Sequence, residues 1–320
     1  MCQRYTLPKK QEEEKVKKMK RIVSIILTIV MVAALGGCST KGSDTNETTP
    51  TTENQTDDSA TAETTEATEP VAEDLSGTIA ITGSTSVEKI LNEMIDEFTA
   101  LNPDVAINYT GTGSSAGITD TLAGANDIGA SSRELKEEEK VDGLQEVIFA
   151  YDGIAAAVNP ANPIEDISIT DLVKIYSGEI TNWNQVGGND AKIVVVSREG
   201  ASGTRSAFEE LIKLEDAGGL VEDATVVEGN GNIQATVAGN KNAIGYVSFS
   251  FIDETVKSLN LDGVEATADN AKAGTYSLSR PFLLIYMDTD VSAITTAFVE
   301  YTKSDDAQEF VTENGGIRID

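Results

Sequence analysis

Residues 77–249 alternate between short apolar runs and segments in which apolar residues have helical spacing. The run 78–82 has the pattern of a strand, and the helical segment after it carries Val87, Ile90 and Phe98 on one side. The predicted strands cover 78–82, 105–109, 127–130, 147–158, 191–197 and 243–249, and the predicted helices cover 86–101, 114–122, 168–176 and 204–214. This order predicts an α/β fold with mainly parallel sheets, in which ligands bind beyond the carboxyl ends of the strands.

The N-terminus has the composition of an export signal. A basic stretch precedes an apolar run, 22–34, that is too short to span a bilayer, so residues 1–37 are predicted to be a signal peptide. Because Met19 followed by Lys20 would start a compact signal peptide by itself, it stays open whether residues 1–18 are translated. The string L-G-G-C, ending at Cys38, resembles the lipobox of bacterial lipoproteins. That resemblance implies a lipidated Cys38 and a location on the outer face of the cell membrane.

The segment after Cys38 differs sharply in composition from the rest of the chain. Residues 41–74 hold ten carboxylates against one lysine and no aromatic residue. Such a segment cannot bury enough apolar surface to fold, and its charges repel one another. We therefore predict that 38–76 is a disordered, acidic, Thr-rich linker.

The absence of certain residue types excludes several classes of catalytic and metal-binding chemistry. Histidine is absent, and the two cysteines are Cys2 and Cys38. The Ser-His-Asp triad and the commonest zinc ligands are therefore missing, and we expect no metal, no cofactor and no enzymatic activity. The net charge of −29 disfavours binding to nucleic acid. One enzymatic alternative is a serine acyl-transfer enzyme, because Ser86 and Lys89 have S-x-x-K spacing, but the companion motifs match poorly.

Three loops that each follow a predicted strand combine glycine with hydroxyl residues. They are termed the first corner (83–86, G-S-T-S), the second corner (111–117, G-T-G-S-S-A-G) and the third corner (197–204, S-R-E-G-A-S-G-T). Helix starts present unpaired backbone N–H groups, so glycine and hydroxyl donors there can cradle an anion. Taken alone, the first corner is more typical of a helix capping box, T-S-V-E. Arg198 places a guanidinium beside the third corner, within reach of the same anion.

Six segments, in order along residues 77–320, resemble the phosphate-binding subunit of the phosphate-specific ABC transporter. They are I-T-G-S-T-S (81–86), G-T-G-S-S-A-G (111–117), D-I-G-A-S-S-R-E-L (127–135), I-Y-S-G-E-I-T-N-W (175–183), S-R-E-G-A-S-G-T-R (197–205) and A-I-G-Y-V (243–247). The resemblance implies a two-lobed, periplasmic-binding-protein-like fold of type II, with the ligand in the interlobe cleft. It implies that lobe 1 is 77–152 plus 250–320 and that lobe 2 is 153–249.

The resemblance also implies a function and a set of ligand-binding residues. A protein of this family is a monomer that captures inorganic phosphate and delivers it to the membrane permease and ATPase subunits of the transporter. Carried over position by position, the family's phosphate donors are Thr85, Ser86, Ser114, Arg198, Ser202, Gly203 and Thr204. A surface sensor or adhesin of the same fold, coupled to no transporter, is an alternative that the sequence leaves open.

One position departs from the family's pattern. The family often has an aspartate that accepts the proton of phosphate where this chain has Ser132. We predict that Ser132 also binds the anion. Its hydroxyl does not repel a fully deprotonated anion, so a sulfate-like tetrahedral oxyanion is an alternative ligand. The neighbouring Arg133 either contacts the anion as a further ligand or pairs with an acid such as Asp127 or Asp152. Asp152 is also a candidate to replace the missing acceptor.

Overall fold

The computed structural model describes residues 75–319, so the predicted signal peptide, Cys38 and nearly all of the linker lie outside the described residues. The strands are β1 (Gly77–Gly83), β2 (Val105–Gly111), β3 (Ile128–Ser131), β4 (Leu144–Val158), β5 (Asp166–Ile167), β6 (Val194–Arg198), β7 (Thr225–Val227), β8 (Ala243–Ser248), β9 (Lys257–Ser258), β10 (Asn260–Leu261), β11 (Ser279–Met287) and β12 (Ile317–Arg318). The helices are α1 (Glu88–Leu101), α2 (Ser114–Leu122), α3 (Ile169–Tyr176), α4 (Gly203–Leu211), α5 (Gly229–Gly239), α6 (Ala268–Lys272), α7 (Ala293–Tyr301) and α8 (Asp305–Glu313).

Ten strands form one mixed sheet with the order β2-β1-β3-β11-β4-β8-β6-β7, and β9 and β12 pair with β4. Towards the two ends of this order the pairing is parallel, as the sequence predicts. At the centre it is antiparallel, because β11 brings the chain back between β3 and β4, and β4 also pairs antiparallel with β8. The prediction of a mainly parallel sheet is therefore wrong at the centre.

The long strand β4 joins two hydrophobic cores. Its residues 144–153 pair with β11, whereas 154–158 pair with β8. The first core gathers around β1, β3 and α1, where Ile90, Leu91, Met94, Ile95 and Phe98 lie buried along one side of the helix, as their spacing predicts. The second core contains the stacked rings of Phe208 and Tyr246, 4.1 Å apart, and the buried Trp183.

The predicted lobe boundaries at 152 and 250 stay a prediction. Packing favours a later second boundary, because Leu259, Tyr276 and Leu278 are buried in the second core rather than the first. Among residues 75–319, no helix has both the length and the apolar character needed to cross a membrane.

The helix after the first corner begins differently from its prediction. Helix α1 starts at Glu88, and its N-cap residue, Val87, makes no side-chain capping hydrogen bond. The capping box expected from T-S-V-E is therefore not formed. The hydroxyls of Thr85 and Ser86 instead contact residues of β6, α4 and α5.

Candidate anion-binding site

The three corners meet at the carboxyl ends of β1, β2 and β6. Ser86 Oγ of the first corner shares a hydrogen bond of 2.7 Å with Thr204 Oγ1 of the third corner. Gly203 lies so close to Ser114 of the second corner that an added Cβ would be 2.1 Å from Ser114 Oγ. The three corners therefore lie together, with their side chains packed against one another.

The end of β3 brings a further serine to the same place. The backbone N–H of Ser132 donates to Ser114 Oγ at 3.0 Å, and Ser84 Oγ donates to Ser132 Oγ at 2.7 Å. We refer to Ser84, Thr85, Ser86, Ser114, Ser132 and Thr204 as the hydroxyl cluster; all of them except the partly exposed Thr85 are buried. A buried cluster of this kind can donate and accept hydrogen bonds in several arrangements.

The start of α4 adds backbone donors. The Ser202 side chain caps the helix by accepting a hydrogen bond of 3.1 Å from the backbone N–H of Arg205. Gly203 and Thr204 thus occupy the first turn, where backbone N–H groups have no partner within the helix and the helix dipole favours a negative charge. The absence of a side chain on Gly203 allows this turn to lie against Ser114.

Arg198 presents a buried guanidinium to the hydroxyl cluster. It is 1% exposed, and its Nη2 donates to Thr85 Oγ1 at 3.2 Å. Its Nε and Nη2 also bind the Glu199 carboxylate at 2.8 and 2.7 Å. Burial acts to raise the pKa of Glu199, but the hydrogen bonds and charge of Arg198 outweigh it and lower that pKa. The Nη1 atom of Arg198 has no partner among the described residues, so a buried cationic donor is left for an acceptor from outside the protein.

Two residues that the sequence did not indicate also reach the cluster. Asn230 donates from Nδ2 to Ser86 Oγ at 3.0 Å and to Thr85 Oγ1 at 3.2 Å. Arg280 donates from Nη2 to Ser86 Oγ at 3.1 Å. The glycines around Asn230, at the start of α5, form a strand-to-helix corner that composition could have revealed. Arg280 lies within a strand and carries no such signal.

Arg133 pairs with a different acid from the two named as candidates, and Asp152 is hydrogen-bonded within the protein. Arg133 binds Glu139 through two hydrogen bonds of 2.7 Å, and neither Asp127 nor Asp152 is its partner. Glu139 is favoured because the short 3-10 turn Glu137–Glu139 follows Arg133 closely along the chain. Asp152 is fully buried and accepts hydrogen bonds from Arg280 and Ser248, so its oxygens are already engaged. Burial raises the pKa of Asp152, and Arg280 opposes that rise.

A pocket of about 320 Å³ opens beside the hydroxyl cluster. It is lined by Thr85, Gly111, Thr112, Gly113, Glu199, Ala201, Glu228 and Gly229. Its lining comes mainly from the second and third corners and the start of α5, and it includes two carboxylates. Residues 75–319 contain neither histidine nor cysteine, and their Asp and Glu side chains form no group of three or more that could hold a metal ion.

Comparison with known proteins places the chain in a family. Residues 49–306 match the model of a PBP superfamily domain. The phosphate-binding protein PstS of Bacillus subtilis is 34% identical over 253 residues, which cover 77% of this chain and 82% of that protein. PstS of Borreliella burgdorferi is 31% identical over 77% of this chain and 92% of its own length.

Solved structures give the same result. A substrate-binding protein of Clostridium perfringens, assigned to a phosphate ABC transporter and containing bound phosphate, is 42% identical, with a TM-score of 0.74 over 76% of this chain and 100% of that one. An ABC-type phosphate transport receptor of Vibrio cholerae is 37% identical, with a TM-score of 0.65 over 75% and 100% of the two chains. These matches confirm the predicted two-lobed α/β fold, and the matched proteins are substrate-binding proteins rather than enzymes. The chain therefore belongs to the PBP superfamily and, within it, to the family of PstS phosphate-binding proteins.

Proposed function

We propose that this chain binds inorganic phosphate at the hydroxyl cluster and delivers it to an ABC permease for import. The observation that carries the proposal is the unpartnered Nη1 of the buried Arg198, beside hydroxyls from three corners. Phosphate presents oxygens on all sides, so the separate corners can share one ion while the guanidinium supplies charge. The names of the relatives support the choice of phosphate among tetrahedral anions.

Each corner has its own part in binding. Thr85, Ser86 and Ser114 supply hydroxyls from one side of the cleft, and Ser202, Gly203 and Thr204 supply the start of α4 from the other. Ser132 connects the first corner to the second, because it contacts both Ser84 and Ser114. Arg133 is a further candidate ligand: Glu139 holds two of its nitrogens and Ser115 contacts one, while its buried Nε has no partner among the described residues.

Delivery requires partners beyond this chain. Phosphate that bridges the lobes favours the closed form, and the permease recognises that form, while a partner ATPase supplies the energy. Lipidation of Cys38 holds the monomeric protein at the outer face of the cell membrane, with the acidic linker as its tether.

Substitution of Cys38 by serine should release the protein from the membrane fraction. Retention of the Cys38→Ser variant there would contradict the lipid anchor.

Isothermal titration calorimetry with phosphate, sulfate, arsenate and molybdate tests the ligand. Phosphate should bind, and Arg198→Ala should weaken binding at least about 100-fold, because hydrogen bonds to charged groups contribute about 1.5–3 kcal/mol each. Arg318→Ala is the matched control, since that exposed arginine pairs only with Asp305 on the surface. Absence of binding with phosphate would contradict the proposed function, and absence of binding with all four anions would also contradict an anion site. Unchanged affinity of Arg198→Ala would remove Arg198 from the site.

A further inference from the structure

Arg280 is a second buried guanidinium that faces the hydroxyl cluster. It is 3% exposed although it lies on a strand, β11, far along the chain from the three corners. Its Nη2 donates to Ser86 Oγ at 3.1 Å, and its Nη1 donates to the backbone oxygen of Ser132 at 3.0 Å. Both acceptors belong to loops that form the site.

Asp152 fixes the direction of this guanidinium. The two residues lie opposite each other in the antiparallel pairing of β11 with β4. Asp152 Oδ2 accepts from Arg280 Nη2 at 2.9 Å and from Nε at 3.2 Å, and Asp152 Oδ1 accepts from Ser248 Oγ at 2.9 Å. A guanidinium has five N–H donors, and these contacts together with those to Ser86 and Ser132 use four of them. One donor on Nη1 is left over.

Arg280 is also close enough to Arg198 for their charges to interact. Burial lowers the pKa of Arg280, Asp152 opposes this change, and the positive charge of Arg198 adds to the lowering. Each of the two arginines is paired with one carboxylate, Glu199 or Asp152. Two desolvated cations beside one hydroxyl cluster, each with unused N–H groups, are stabilised when an anion lies between them.

We propose that Arg280 is a second anion-binding guanidinium of this site and that Asp152 is its positioning residue. This inference rests on the proposed function. A purely structural role would be to clamp β11 to β4, and for that the contact with Asp152 would be sufficient. The additional bonds to Ser86 and Ser132 direct the guanidinium towards the site instead.

Calorimetry of the full chain with phosphate tests the assignment. Arg280→Met should raise the Kd about 100-fold or more and Arg280→Lys about tenfold, because lysine keeps the charge but loses the planar fork. Arg318→Met should leave the Kd within about twofold, since that arginine pairs on the surface with Asp305. Circular dichroism checks that each variant is folded. If Arg280→Met does not fold, the affinity of Arg280→Lys tests whether Arg280 binds the anion.

The role of Asp152 needs a coupled measurement. Asp152→Asn should weaken binding about tenfold, and adding it to Arg280→Lys should cause little further loss, because both changes act through one guanidinium. Additive losses would show that Asp152 does not act through Arg280. If the unsubstituted chain binds phosphate and folded Arg280→Lys binds it equally well, the inference about Arg280 is wrong and the proposed function stands. If the unsubstituted chain binds no phosphate, both are wrong.

Discussion

Gly203 brings the start of α4 against the second corner because it has no side chain. An added Cβ would lie 2.1 Å from Ser114 Oγ and 2.8 Å from Ser132 Oγ. We expect Gly203→Ala to weaken phosphate binding by about tenfold or more, since overpacking of this kind costs about 1–3 kcal/mol and here opposes approach of the two sides. Gly231→Ala, in α5, is the control, because a Cβ there meets nothing within 4 Å. Equal affinities of the two variants in calorimetry would contradict the packing argument.

At the proposed site, Ser132 is the residue that we expect to determine the choice among anions. Two carboxylates near the site are engaged within the protein, since Glu199 is held by Arg198 and Asp152 by Arg280 and Ser248. The hydroxyl cluster can accept a hydrogen bond from the P–OH group of phosphate, but it does not repel sulfate. We therefore expect sulfate to compete with phosphate, with a Kd within about tenfold of the phosphate Kd.

The carboxylate variant tests this account of selectivity. Ser132→Asp should weaken sulfate binding more than phosphate binding, because only phosphate carries a proton for the new carboxylate. Titrations of both anions, with the unsubstituted chain alongside, give the ratio of the two Kd values. A chain that already excludes sulfate, or a variant that leaves the ratio unchanged, would show that Ser132 is not the selective residue.

At the scale of elements, local sequence patterns predict the strands and helices whose apolar residues are regularly spaced. The sequence predicts the bounds of β1, α1, β2 and α2 to within two residues, because α1 has a regular apolar period and both strands end at a glycine. Helix α5 and strand β11 were missed. The stretch G-N-G-N at 229–232 interrupts helical spacing, and the middle of β11 is buried on both faces and has no alternation. The pair of Arg280 with Asp152 depends on the register of two strands that are distant in sequence, which no local pattern encodes.

The end of β3 is tied to the turn Glu137–Glu139 by the ion pair of Arg133 with Glu139. Burial acts to raise the pKa of Glu139, but Arg133 and the backbone N–H of Lys136 outweigh it and lower that pKa. The ionised form is therefore favoured by folding, and its contribution is present above the unfolded pKa and lost as the pH falls through the folded pKa.

We expect Glu139→Gln to reduce the free energy of unfolding by about 2 kcal/mol at pH 7, because it leaves a buried guanidinium short of its partner. The difference from the unsubstituted chain should shrink as the pH falls through the lowered pKa of Glu139, where Glu139 also loses its charge. Urea unfolding at a series of pH values measures this difference. The exposed pair of Lys140 with Glu137 serves as the control, and Glu137→Gln should change stability little. A difference that is constant with pH would contradict the role of the ion pair.

At the scale of the whole molecule, the proposed anion site lies in a strongly acidic chain. The net charge is −29, and the pocket beside the site is lined by Glu199 and Glu228. On the proposed function, bound phosphate is held by short-range contacts to buried groups, which salt screens little. The approach of an ion from solvent is opposed by many distant carboxylates, whose field reaches about 30 Å at 0.01 M salt and about 8 Å at 0.15 M. Net charge should therefore affect the rate of association more than the rate of dissociation.

We accordingly expect the association rate constant for phosphate to rise several-fold between about 10 and 150 mM NaCl, while the dissociation rate constant changes by less than about twofold. Stopped-flow fluorescence of a chain that begins at residue 75 measures both, with a fluorophore on a cysteine introduced at Thr112, because residues 75–320 contain no other cysteine. Glu228→Gln should increase association at low salt by removing a charge from the pocket, whereas Asp305→Asn, on the surface, should have little effect. An association rate that falls with salt would mean that Arg198 and Arg280 attract the ion from a distance and outweigh the acidic surface.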